Sequence, residues 1–217
     1  PHPQINAPHK YELTSPPTIS LKNLTFRYDD ASQAVLSNIS FSIDAGKRLG
    51  IFGATGSGKT TLANLISLIE PTDPGTLFYN DTDITRINAT DLRSGISVVP
   101  QKRFLFSTSI FNNIVFSDPS LPRDEAQLAA KRACVLNDIQ AFPDQWDTLV
   151  GEKGIILSGG QQHRLAMARA YAAHHQVLIL DDVLSSVDHE TEQQMIEALY
   201  NDFNHPTTII IAHRISA

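Results

Sequence analysis

Apolar positions fall in two rhythms along the chain. Short runs that alternate or are continuously apolar occupy residues 19–28, 35–43, 48–52, 77–79, 96–99, 177–180 and 207–212. Runs of this length, rich in Val, Ile, Leu and Phe, predict strands. Helical spacing follows the glycine-rich stretch after Phe52, from Lys59 to about Ile69, and Pro71 and Pro74 stop it. From about 107 to 173 the helical rhythm dominates, with acidic first turns such as Arg123-Asp124-Glu125. It returns from His189 to Tyr200. Short apolar strands that alternate with helices predict an α/β core of largely parallel strands, interrupted by a mainly helical lobe.

The first 17 residues hold five of the twelve prolines and no apolar periodicity, which predicts an extended linker with structure starting at Thr18. Hydrophobic residues make up 41% of the 217 and charged residues 18%, enough for a buried core. The net charge of −6 weighs against a broad nucleic-acid-binding face. A lone cysteine, Cys134, cannot form an internal disulfide and points to a reducing compartment. It falls in a helical-looking run, 125–135, and reads as a small buried hydrophobe. No apolar stretch approaches the ~20 residues that span a bilayer, and no secretory signal opens the chain. The expectation is a soluble, cytosolic domain whose membrane contact comes through a partner or through parts outside this sequence.

Gly53-Ala54-Thr55-Gly56-Ser57-Gly58-Lys59-Thr60, with Thr61 behind it, matches the full phosphate-loop pattern between a strand and a helix. The glycines let the backbone curl until its N–H groups converge on phosphate oxygens, and the helix dipole adds to the attraction. Lys59 is suited to the β- and γ-phosphates of ATP, and Thr60 to Mg²⁺. Downstream, a strand ends in Asp181, a carboxylate suited to the same Mg²⁺. Alone it would read as a strand-end turn, and the phosphate loop changes that reading.

Leu157-Ser158-Gly159-Gly160-Gln161, ahead of the helix 163–170, resembles the signature motif of ABC ATPases. The resemblance covers the chain from about residue 18 to its end. It implies an α/β P-loop core, an antiparallel β subdomain and an inserted helical subdomain near 107–173. It also implies two copies that pack head to tail with ATP between them, so that Ser158, Gly160 and Gln161 serve the partner's nucleotide. By the same resemblance Tyr28 stacks on adenine, Gln101 senses Mg²⁺ and the membrane domain, and Asp188 in the stretch 185–188 crosses the dimer interface. His213 is the switch histidine at the γ-phosphate. Singly, Tyr28 reads as a strand-end aromatic, His213 as an exposed imidazole, and Gln101 as nothing in particular. Gly151-Glu152-Lys153-Gly154 resembles the exporter segment that touches the coupling helices of a transmembrane domain, with a surface turn as the lesser alternative.

Three departures stand out. Relatives usually carry glutamate after the Mg²⁺ aspartate, as general base or water-positioner, and here Asp182 stands there. Its carboxylate falls short by about 1 Å, a misplacement that can cost ~10²-fold in rate. This resembles the slow-site half of heterodimeric exporters. His163 stands where relatives usually have glutamine, with no function attached to it. The chain ends four residues past His213, where the family domain continues, so a truncated C-terminal end is expected. The implied function is that of an ATPase motor, with catalytic Lys59, Asp182 and His213, on the cytoplasmic face of a plasma or inner membrane. Its partner is a second such domain, heterodimeric by preference and homodimeric as the simpler possibility. A soluble ABC ATPase of translation or DNA repair, and a catalytically impaired regulatory subunit, are the alternatives.

Overall fold

The computed structural model describes residues 11–28, 33–102, 104–151, 154, 156–201 and 205–212. The chain forms two compact units. One comprises residues up to Val98 together with 175–182 and the C-terminal strand, and the other comprises 99–174 and 183–203.

The first unit holds two sheets. In the antiparallel one, β1 (Ile19–Phe26) pairs with β2 (Leu36–Ile43) and, on its other edge, with β4 (Leu77–Tyr79), which pairs with the short β5 (Thr82–Asp83). The second sheet has the order β3-β8-β7-β6, with β3 (Arg48–Phe52), β6 (Ile96–Val99), β7 (Val177–Asp181) and β8 (Thr207–Ala212). Both β3 and β7 run parallel to β8. Every residue of β7 is buried, as a strand covered on both faces must be, which is why it reads as one continuous apolar run. Helix α1 (Lys59–Ile66) packs its Leu62, Leu65 and Ile66 into a core that also includes Ile19, Leu21, Tyr79, Ile179 and Ile209.

The sequence treats 11–17 as linker, yet these residues are docked on the first unit. Leu13 is a core residue that touches Gly95, Tyr11 donates its amide to Asp91 and its hydroxyl to the Tyr79 carbonyl, and Pro17 accepts from Thr207. Two apolar residues among prolines carry no periodicity, so nothing local announced the contact. Residues 1–10 lie outside the described residues. Helix α2 (Ala89–Ser94), capped by Asn88, and β5 also escape the sequence reading, because each is too short to show a period.

The second unit is helical, with α3 (Ile110–Ile114), α4 (Arg123–Arg132), α5 (Leu136–Ala141), α6 (Gly159–Ala172) and α7 (His189–Tyr200). Alanines on α4 (Ala126, Ala129, Ala130) and α6 (Ala166, Ala168, Ala170) are buried where the two helices pack together. Cys134 is not inside a helix. It is the left-handed residue (φ 55°) just after α4, where its amide reaches Lys131 and that of Val135 reaches Ala130. These two bonds close the helix end in the manner usually reserved for glycine. The thiol is half-buried, and that burial pushes it above its ordinary value.

Candidate functional site

In the first unit, β3 delivers the chain directly into the phosphate loop. Gly56 and Gly58 take positive φ (82° and 90°), which L-residues avoid. A Cβ on Gly58 would lie 2.8 Å from Leu36, and one on Gly53 would lie 2.9 Å from the Ser57 hydroxyl. Helix α1 opens on Gly58 with no side-chain cap and no acidic residue in its first turn. Its leading amides are therefore left for a ligand, and its dipole is left uncompensated, as an anion site requires. Lys59 is 7% exposed and donates to the carbonyls of Gly53 and Ala54, both at 2.8 Å. The ammonium is thus held at the mouth of its own loop.

Thr60 donates its hydroxyl to Asp181 at 2.7 Å. Asp181 is 3% exposed at the end of β7. A hydroxyl and a carboxylate this close, both hard oxygen donors beside a phosphate cradle, fit Mg²⁺, which takes one or two protein ligands together with phosphate oxygens. Thr61 lies within α1, with its hydroxyl 3.2 Å from that of Tyr28. The Tyr28 ring is partly exposed and meets Phe26 edge-on at 4.9 Å. Thr55 and Ser57 lie in the loop, where the Ser57 amide donates to Ala54.

Asp182 is buried and left-handed (φ 53°), and its amide donates to Ile211 of β8 at 2.9 Å. Aspartate is among the few non-glycine residues that enter this region readily. His213 and Glu152 lie outside the described residues.

In the second unit, Ser158 caps α6 in a closed capping box. The Gln161 amide donates to the Ser158 hydroxyl (3.3 Å), and the Gln161 side-chain oxygen accepts from the Ser158 amide (3.0 Å). Gly160 sits in that first turn. Asp188 caps α7 by accepting from the Thr191 amide and hydroxyl, and these two bonds hold its carboxyl below the ordinary value.

Gln101 is exposed, and its backbone carbonyl lies 3.3 Å from Nε2 of His163. A carbonyl can only accept, so this contact puts a proton on Nε2. His163, which the sequence left without a role, is 2% exposed on α6. Arg169, three turns into the same helix, donates to the Asn113 carbonyl (2.8 Å) and side chain (2.7 Å) and to the Phe104 carbonyl (3.3 Å), with the Phe106 ring 5.1 Å away. Neither Asn113 nor Arg169 was legible as functional. Asn113 sits in a short helix and Arg169 stands in the helix after the signature, and neither carries a motif that announces their meeting.

The sequence profile of the ABC transporter family matches residues 36–185. The chain is 40% identical, over its whole length, to the Bacillus subtilis protein YknU, described as an uncharacterized ABC transporter ATP-binding protein, and spans 36% of it. It is 41% identical over 88% of its length to the multidrug resistance-like ATP-binding protein MdlA of Escherichia coli, covering 32% of that protein. The structure of a bacterial Atm1-family ABC exporter with ATP bound superposes with a TM-score of 0.88 at 34% identity, over 95% of this chain and 36% of that one. The chain thus spans about a third of the length of these relatives. With the phosphate loop, the Thr60–Asp181 pair and the capped signature helix all in place, the chain belongs to the ABC transporter family, as an ATP-binding domain of exporter type.

Proposed function

We propose that the chain is the ATP-hydrolysing motor of an exporter, working as one of a pair of such domains attached to a transmembrane partner at the cytoplasmic face of a plasma or inner membrane. The observation that carries this reading is the Thr60–Asp181 contact at 2.7 Å beside an uncapped phosphate loop. Lys59 and the loop amides bind the β- and γ-phosphates, and Tyr28 takes the adenine. Thr60 and Asp181 would hold Mg²⁺, which would neutralise phosphate charge, and Gln101 keeps the Mg²⁺-sensing assignment that the family resemblance gives it. Ser158, Gly160 and Gln161 face the partner's ATP, and Asp188 lies at the interface between the two domains. Asp182 orients the attacking water with a carboxylate one methylene short, so the site built on this chain's own phosphate loop turns over slowly. His213 is assigned to the γ-phosphate. No helix among the described residues is long and apolar enough to cross a membrane.

We assign the transmembrane partner to an aromatic surface of the second unit. Phe104 and Phe116 are exposed, and Phe116 stacks on Phe106 at 4.0 Å, all following closely on Gln101. Exposed aromatics of this kind mark contact surfaces, and Glu152 is assigned to the same partner.

Steady-state ATP turnover of the complete transporter, alone and with a candidate partner, tests this reading. A nearly silent native chain that gains about tenfold or more on Asp182→Glu supports the slow site, in line with an ångström-scale correction. Brisk turnover of the native chain alone, stopped by Asp182→Asn, makes Asp182 a working base and favours a homodimer. Nucleotide binding with no turnover in any assembly favours a regulatory subunit instead.

A further inference from the structure

The first turn of α6 is tied to a residue that no motif includes. Asp138 on α5 accepts from Gln161 Nε2 through one carboxylate oxygen (2.9 Å) and from Arg164 through the other (2.9 Å). The side chains of Arg164 and Asp138 are only 13% and 24% exposed. We propose that Asp138 is a positioning residue for the signature serine, acting through Gln161. This rests on the reading that Ser158 serves a partner's ATP.

The argument is one of hydrogen-bond polarity. A carboxylate can only accept, so Asp138 forces the Gln161 amide to turn its NH₂ toward α5. The Gln161 oxygen is thereby aimed the other way, at the Ser158 amide (3.0 Å). The Gln161 backbone amide fills an acceptor position on the Ser158 hydroxyl (3.3 Å). That hydroxyl is left with its own proton to donate outward, to a phosphate oxygen. Asp138 thus reinforces the one orientation of the Gln161 side chain that is compatible with the bonds up to the serine that must donate. Arg164 holds the carboxylate in place through its other oxygen with a charge-assisted bond. The Ser158 amide already selects the Gln161 oxygen, and Asp138 holds the other end of the same amide, so losing Asp138 loosens the support of the serine on whose geometry rate depends.

Asp138→Asn keeps the shape but removes the obligate polarity. The test compares native protein, Asp138→Asn, Asp138→Glu, Ser158→Ala, the double variant Asp138→Asn with Ser158→Ala, and Ser158→Arg, each in the complete paired transporter. Two readouts are used: kcat and KM for ATP, and hydrogen exchange at the Ser158 amide in nucleotide-free protein. Asp138→Asn is expected to lower kcat about tenfold or more, within the ~10²-fold of an ångström-scale misplacement, with KM moved less than about twofold. The Ser158 amide exchanges faster, Asp138→Glu restores part of kcat, and the loss vanishes in the Ser158→Ala background. Gln161→Leu cuts the same chain of bonds while leaving the Asp138–Arg164 pair intact, and gives the same kcat loss even where Asp138→Asn folds poorly. Native kcat and native exchange in Asp138→Asn, or full additivity with Ser158→Ala, overturn the inference while a dead Ser158→Arg leaves the paired-site reading standing. Unimpaired turnover of Ser158→Arg overturns both.

Discussion

The helix ends at the phosphate loop and at the signature are built on opposite plans. Helix α1 opens on a left-handed glycine with no side-chain cap, and α6 opens on a serine whose capping box is closed. The first leaves its amides unsatisfied by the chain and waits for a triphosphate to complete them. The second ties the Ser158 and Gln161 amides into its capping box and offers a hydroxyl instead. Under the proposed function, the first would hold a nucleotide through the cycle and the second would contact a partner's nucleotide transiently. Specificity of role comes from which donors the sequence leaves over, since both ends carry the same dipole.

The strongest way to break this comparison is Ser158→Arg in the paired transporter. Turnover is expected to vanish while ATP binding at this chain's own phosphate loop persists, measured side by side as phosphate release and nucleotide binding. Lost binding would mean that the two ends are not separate in role. Next in size, Lys59→Ala should weaken ATP binding about 10–100-fold, the worth of a hydrogen bond to a charged group. Titration with a fluorescent ATP analogue reads it, and near-native affinity would remove Lys59 from the site. Gly58→Ala should cost about 1–3 kcal/mol, since it forces a side chain into a left-handed residue that already lies against Leu36. At about 2–4 °C per kcal/mol for a chain of this size, a thermal melt resolves it, and an unchanged midpoint would show that the loop relaxes freely.

The smallest expected effect concerns Asp188. Its folded-state value is depressed, so its stabilisation of α7 is fully present above the unfolded value of about 3.9 and is lost as pH falls through the folded value. Melts between neutral and acid pH should show the native protein losing an increment that Asp188→Asn never had. Parallel curves for the two proteins would remove the carboxylate's role at the cap.

The division between sequence and structure follows the range of the interactions. The phosphate loop, β7 with Asp181, and the signature before α6 were legible because each is contiguous: glycine spacing, an unbroken apolar run, and a Ser-Gly-Gly-Gln string each specify geometry within a few residues. Strand positions were legible for the same reason, since a buried strand needs apolar side chains wherever it lies. Other features depended on residues far apart in the chain. Leu13 joins the core because Gly95 leaves room for it, a match across some eighty residues that no local pattern encodes. Cys134 was placed in a helix because its neighbours are good helix formers, yet the chain turns left-handed there to close α4. The sequence drew no attention to Asp138 and attached no function to His163, and packing sets one against Gln161 and Arg164 and the other against the Gln101 carbonyl. By itself the sequence determined which groups could meet a nucleotide, because those groups come in local strings. Only the tertiary structure decided which side chains hold those groups in register, because hydrogen-bond partners are chosen by proximity in space and leave no period in the chain.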